Sequence, residues 1–286
     1  MGCFIPVKYG RCTYPDGINP RLVETAGHFD SKPVQTDQPF SLHTEYSFTR
    51  RKFSSASVAC LSAIRAAHTA SVPQLWRSPA WASEFVDFVC ATCNGHTPTV
   101  IEIHPPFDDY ADLPYFLECY GIFEQGILRQ FPDVTLLIEN RSGTTYHGGA
   151  FILSTAEQLT AFSNLLDQST LRLKITLDIP QLFTAHGATK HDIVALMDSM
   201  RRIRHNISGI HLWGKRLGPS GRRIAHNGDL DSYFFNSQST KALFLQEMSK
   251  LLDDDIPRFF VPEVNSGQTD FLSILNDLLS AGFVFL

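Results

Sequence analysis

Six short apolar runs in this chain each end in an imidazole or a carboxylate. They are Phe40-Ser41-Leu42-His43, Val100-Ile101-Glu102-Ile103-His104, Leu136-Leu137-Ile138-Glu139, Ile175-Thr176-Leu177-Asp178, Ser208-Gly209-Ile210-His211 and Phe259-Phe260-Val261-Pro262-Glu263. Each has a bland reading on its own. A histidine after a strand is commonly a hydrogen-bonded structural residue, Asp178 ahead of Ile179-Pro180 suits a helix cap, and Glu263 suits an ordinary rim position. In series they point elsewhere. Three imidazoles and three carboxylates gathered at one pole would repel, or stay poorly satisfied, unless something positive sat among them. A divalent cation meets that need. The nitrogen and oxygen donors suit zinc or manganese, and iron falls within the same range.

Gathering such distant residues requires a particular scaffold. Strands are expected near residues 2–7, 39–43, 99–104, 134–139, 172–178, 207–212, 258–264 and 282–286, with helices over 55–71, 79–93, 112–131, 155–167, 190–204, 240–252 and 268–281. This alternation is that of βα units on a parallel sheet. Eight such strands close most naturally into a (β/α)8 TIM barrel, and 286 residues suits a single domain of that kind, typically about 250 residues long. In a barrel the C-terminal strand ends share one face, where the six polar residues would meet. Ser154-Thr155-Ala156-Glu157 has the spacing of a capping box opening a helix. The segment 213–239, with Gly214, Gly218, Pro219, Gly221 and Gly228, is long for a connection, and long loops on that face usually serve function.

Composition removes several classes. No apolar run reaches the roughly 18 residues that a membrane helix needs, and no glycine-rich phosphate-binding segment follows a strand. Met1-Gly2-Cys3-Phe4-Ile5-Pro6-Val7-Lys8 lacks the features of a secretory signal, so a cytoplasmic location is expected. The six cysteines are scattered, and a chain of this size needs no disulfide to complete its core. Cys90-Ala91-Thr92-Cys93 stands without a second CxxC and reads as structural, and His68, His96, His191 and His205 read as solvated or structural. A net charge of −5 argues against an unaided nucleic-acid surface, although bound divalent metal would offset part of it.

The motifs around these residues resemble the xylose-isomerase-like TIM barrels, and within them the endonuclease IV branch of apurinic-site nucleases. The match runs from about Phe40 to Leu286. Ser41-Leu42-His43-Thr44-Glu45-Tyr46 resembles the S-V-H-x-P-Y segment, Ile103-His104-Pro105 the H-P-G segment, and Ile138-Glu139-Asn140-Arg141-Ser142-Gly143 the I-E-N-x-x-G segment. Leu177-Asp178-Ile179-Pro180-Gln181 corresponds to L-D-T-C-H, Ile210-His211-Leu212 to I-H-L-N, and Val261-Pro262-Glu263 to the last strand's ligand. The resemblance implies two metals, one on His43, His104 and Glu139 and another on Glu139, Asp178, His211 and Glu263. Gln181 stands where the branch has a third-metal histidine, and Arg223-Ile224-Ala225-His226-Asn227-Gly228-Asp229 keeps only part of its Asp-x-His pair, leaving His226 as a further ligand or phosphate contact. The third site is therefore expected to be absent or altered.

The activity implied is metal-dependent hydrolysis of a phosphodiester, with Glu139 and Glu263 catalytic. Gln181, Trp213, Lys215, Arg216, Arg222 and Arg223 are substrate-binding candidates for a phosphate-containing substrate, DNA among them. Tyr146 and Trp213 are candidates to stack on a base or sugar. Two other readings compete. A one-metal sugar isomerase or epimerase would use Glu139, Asp178, His211 and Glu263 without needing His43 and His104. A di-iron oxidase is the third. Oligomeric state stays open.

Overall fold

Most of the strands are apolar runs buried on both faces, as parallel barrel strands are. In the computed structural model the residues described are 2–46, 58–69, 72–146 and 149–286, without the side chains of Thr69, Val72 and Tyr146. Strands β1 (Cys3–Lys8), β2 (Leu22–Gly27), β3 (Phe40–Thr44), β4 (Val100–Ile103), β5 (Thr135–Glu139), β6 (Lys174–Asp178), β7 (Ile207–Leu212) and β8 (Pro257–Pro262) pair in chain order. Because β8 also pairs with β1, the eight parallel strands close into a barrel with helices around it, the TIM-barrel fold.

The strand count was expected correctly, but one member was not. Leu22-Val23-Glu24-Thr25-Ala26-Gly27 is the second ring strand, while β9 (Val284–Phe285) is a short appendix that pairs Cys3 with Val284 and Phe4 with Phe285. The ring itself continues from the other end of β1, where Val7 faces Leu22 and Lys8 faces Val23. Only two of the six residues of β2 are fully buried, so its apolar signal is weak.

Helices follow the expected pattern as α2 (Pro79–Cys93), α3 (Leu113–Gln130), α4 (Ala156–Asp167), α6 (Ile193–Arg202), α8 (Gln238–Leu251) and α9 (Gln268–Ser280). Of the helix expected over 55–71, residues 55–57 and 70–71 lie outside those described, and α1 covers Ser62–Ala66. Two short helices, α5 (Ile179–Ala185) and α7 (Leu230–Tyr233), were not foreseen. The capping box sits one residue later than its Ser-x-x-Glu spacing implied: Thr155 caps α4, and Gln158 returns the bond. Ser78 and Asp112 cap α2 and α3 by accepting from Trp81 N–H and Tyr115 N–H, each with a proline in the first turn.

The chain divides into two compact units. In the unit Glu24–Ile175, the core of α2 and α3 is aromatic, with Trp76 at 5.2 Å from Trp81, 5.3 Å from Phe116 and 5.5 Å from Phe123 between ring centroids. In the unit formed by Met1–Val23 and Thr176–Leu286, Phe4 packs against Phe260 and Phe283, with ring centroids 4.7 and 5.2 Å away. Fully buried Arg258 makes a bidentate pair with Asp254 at 2.8 and 2.7 Å and donates to the carbonyl of Ile207. The six cysteines are free, and Cys90 and Cys93 lie in the last turn of α2. Among the described residues, no helix is long and apolar enough to cross a membrane.

Candidate metal centre

In the unit Glu24–Ile175, neighbouring strands deliver acids and imidazoles to the same place. Parallel pairing sets His43 of β3 opposite Glu102 of β4. Side chains alternate along a strand, so His104, two residues beyond Glu102, faces the same side. Glu139 ends β5. His43, Glu102, His104 and Glu139 are buried, and one donor atom from each lies within 4.8 Å of every other. Glu24, on β2, reaches the same histidine: its Oε1 is 3.4 Å from His43 Nδ1, and Glu102 Oε1 is 3.5 Å from it. On the other side of the ring, His43 Nε2 is 3.8 Å from Glu139 Oε2.

The orientation of His104 is held from behind. Its Nδ1 lies 3.1 Å from the carbonyl oxygen of Glu45, which can only accept, so Nδ1 carries the hydrogen. The His104 carbonyl in turn accepts from the Trp76 indole at 2.7 Å. The Glu45 carboxylate is spent on the Phe29 and Tyr46 amides. In the neutral ring, Nε2 therefore presents a lone pair toward Glu139 Oε2, only 2.9 Å away. Two lone pairs at that distance call for a cation between or beside them. An imidazole whose far N–H is anchored on a carbonyl is the usual arrangement of a metal-binding histidine. Donors each about 2.0–2.2 Å from a zinc-sized ion sit about 3 Å or a little more apart, the spacing seen here. The residues fit a divalent metal.

Burial sets the charges of these groups. For His104, desolvation dominates over the pull of Glu139 and takes the imidazolium down to about 4, so the ring is neutral near pH 7. For His43, desolvation also acts downward, but Glu24, Glu102 and Glu139 outweigh it and lift the group to about 10. Arg141 Nη1 lies 3.4 Å from Glu139 Oε1, and its guanidinium lies over the rings of Tyr46 and Phe151 at 5.4 and 5.3 Å. That fixes one oxygen of Glu139 and leaves the other facing the histidines.

The second unit holds its own set. Asp178 ends β6 and caps α5: Oδ1 accepts from Gln181 N–H at 2.7 Å, while Oδ2 accepts from Gln181 Nε2 at 3.0 Å and from Trp213 Nε1 at 2.8 Å. Asp178 thus caps α5, and one of its oxygens also lies within 4.8 Å of a ring nitrogen of His211. Glu263 lies between two imidazoles, with His211 Nδ1 at 3.5 Å from Oε1 and His226 Nδ1 at 3.3 Å from Oε2. The His226 ring packs at a tilt against Trp213, 4.3 Å between centroids. The loop 213–239 is a hairpin of Lys215–Leu217 with Arg223–Ala225, followed by α7. Arg223 donates to the carbonyls of Lys215, Ser232 and Tyr233, and Arg216 pairs with Asp270 at 2.8 Å. Arg222 is exposed. Lys215 donates to Thr184 Oγ1 at 2.5 Å. The Tyr146 side chain lies outside those described.

Sequence reasoning passed over Glu24 and Glu102 as members of the first set. Glu102 carried a readable signal, since it stands two residues before His104 in a buried strand. Glu24 carried none, because its strand was not recognised.

No protein-family model matches the chain, and no curated protein matches it. Among solved structures, the chain is similar to the crystal structure of AsfvAP:AG, with 13% identity over 84% of this chain and 85% of that one and a TM-score of 0.52. It also matches the GH53 catalytic domain of Ignisphaera aggregans, with 9% identity over 88% of this chain and 78% of that one and a TM-score of 0.43. At 13% identity the first likeness speaks for the fold alone, and the chain is a TIM barrel whose buried histidines and glutamates could hold a metal ion.

Proposed function

We propose that the protein is a metal-dependent hydrolase of phosphodiester bonds, with one divalent cation held by His43, Glu102, His104 and Glu139. The observation that carries the metal is the His104–Glu139 contact at 2.9 Å, with the imidazole tautomer already fixed from behind. The motif resemblance around His43, His104, Glu139, Asp178, His211 and Glu263 supports the phosphodiester class. Within the other unit Glu263 lies between His211 and His226, and Asp178 has an oxygen near His211, which is in keeping with a two-metal enzyme.

A bound divalent metal lowers the pKa of a water and polarises a phosphoryl oxygen. The protein's own groups then divide the remaining work. Arg141 holds one oxygen of Glu139, and the other faces His43 and His104, where it would serve as a donor to the metal. The Glu45 carbonyl keeps the His104 ring from turning, and the Trp76 indole holds the His104 carbonyl. Burial excludes bulk water from the set, which strengthens every charge interaction in it.

The test pairs metal analysis with a generic substrate. The chain purified without added metal is expected to hold divalent metal and to release nitrophenol from bis(nitrophenyl) phosphate, with Glu139→Ala abolishing turnover and His104→Ala lowering metal affinity by at least about tenfold. A metal-free protein that takes up no zinc, manganese or iron would end this reading. Sugar isomerisation by the metal-loaded chain, or oxygen uptake by an iron-loaded one, would replace it with one of the competing activities.

A further inference from the structure

Arg141 meets the first donor set at one edge of its guanidinium and leaves another edge unbonded. Nη1 donates to Glu139 Oε1 across a long 3.4 Å, and among the described residues no other carboxylate lies within ion-pair distance. The side chain keeps only 12% of its surface, and Nε–H is buried without an acceptor. The rings of Tyr46 and Phe151, 5.4 and 5.3 Å from the guanidinium carbon, attract its charge but give its N–H groups no oxygen to bond. The main chain beneath is tied down, since Arg141 N–H donates to the Leu153 carbonyl at 2.7 Å.

A guanidinium is planar, and Nε–H runs parallel to one N–H of Nη2. With Nη1 turned to Glu139, these two remain as a fork of the kind that grips phosphate or carboxylate oxygens in pairs. A buried N–H that no acceptor meets is uncommon in a folded chain and calls for a reason. Its surroundings supply one. The Tyr46 ring that flanks the guanidinium also lies 5.5 Å from the His104 ring and 6.5 Å from the His43 ring. Glu139 joins the two places, with one oxygen facing Arg141 and the other facing both histidines. Glu24, Glu102 and Glu139 all stand around those histidines, so an anion that approaches them needs positive charge to meet it. Arg141 and the donor set belong to one compact unit, Glu24–Ile175.

We infer that the unbonded Nε–Nη2 edge of Arg141 is the subsite that binds the phosphate of the substrate beside the donor set. The substrate class rests on the phosphodiester reading, while the anion site itself rests on that edge. Arg141 thereby has a task on each side of its plane's centre: Nη1 steadies Glu139, and the fork receives the diester. A lysine could supply the charge but not the paired, fixed donors.

Dimethyl phosphate, the smallest diester, is the probe, titrated calorimetrically into the full-length chain after chelator treatment and again at saturating zinc. The expected result is saturable binding, weakened at least about tenfold both in Arg141→Met and in Arg141→Lys, the second of which keeps the charge and loses the fork. Zinc affinity measured on the same variants tells a subsite from mere support of Glu139, because diester binding should fall further than zinc binding does. An Arg141→Lys protein with native circular dichroism and undiminished diester affinity would overturn the inference, as would losses of zinc and diester binding that are equal, or the absence of saturable binding in both forms of the unaltered chain. Acetate bound as tightly as dimethyl phosphate would overturn the phosphate assignment. If Arg141→Met fails to fold, Arg141→Lys carries the comparison. The two readings fail separately: Arg141-dependent diester binding in a chain that takes up no metal keeps the subsite and loses the hydrolase, and hydrolysis of bis(nitrophenyl) phosphate with unchanged KM in Arg141→Lys does the reverse.

Discussion

Glu102 decides how far the first donor set departs from its sequence-based outline. It sits 3.5 Å from His43, is buried, and shares a face with His104. If it contributes a donor to bound metal, Glu102→Gln removes a charge from the set and metal affinity falls by at least about tenfold, read by competition against a chromogenic chelator. Unchanged affinity would return Glu102 to the role of a buried partner of the His43 imidazolium. Most of the residue-scale picture was legible beforehand: His43, His104 and Glu139 do meet, and so do His211, His226 and Glu263 in their own unit. Glu24 and the Glu45 carbonyl were not legible. A ligand on a weakly apolar strand leaves no pattern, and a backbone oxygen leaves no residue type to notice.

Between elements, the close approach of α2 and α3 turns on a glycine inside a helix. A Cβ added at Gly126 would lie 2.6 Å from Val86 Cγ2 and 3.0 Å from Cγ1. Valine is stiff about χ1 in a helix, so it cannot easily swing aside. Gly126→Ala therefore sets a propensity gain of about 1 kcal/mol against an overpacking cost of roughly 1–3 kcal/mol. The clash is expected to win, lowering the urea midpoint, and adding Val86→Ala should recover much of the loss in a double-mutant cycle. A raised midpoint for Gly126→Ala alone would show that the helices part without cost. Helices with long amphipathic stretches, such as α2, α3 and α9, were readable to within a residue or two. The short α5 and α7 were not, because a helix of one or two turns barely establishes a period. The same limit hid β2, whose six residues carry too few apolar positions to stand out, and let the terminal pair Val284–Phe285 pass for a ring strand.

For the molecule as a whole, acid sensitivity should be shaped by the Asp254–Arg258 pair. Its hydrogen bonds to Arg258 hold the Asp254 carboxyl below the ordinary aspartate range, against the opposing effect of burial. A carboxylate depressed in the folded state adds stability that is complete above its unfolded value of about 3.9. That contribution drains away as pH falls through the lower folded value. Asp254→Asn is expected to lower stability by roughly 3 kcal/mol at neutral pH, since it strands a fully buried guanidinium, and to flatten the acid limb of the unfolding curve. Equal midpoints for the two proteins at pH 7 would rule this out. The closed barrel itself was readable from the rhythm of strands and helices. The ion pair was not, because nothing in the spacing of Asp254 and Arg258 distinguishes a buried pair from a solvated one. Trp76 has a wider consequence, since one indole belongs both to the aromatic core and to the support of His104. Occupancy of the donor set should then raise the temperature at which this core melts, by RT ln(1 + [L]/Kd) in free energy. Calorimetric scans at increasing zinc would show an unfolding peak that climbs with concentration, and a peak that stays put would mean that ion capture and core cohesion are independent properties.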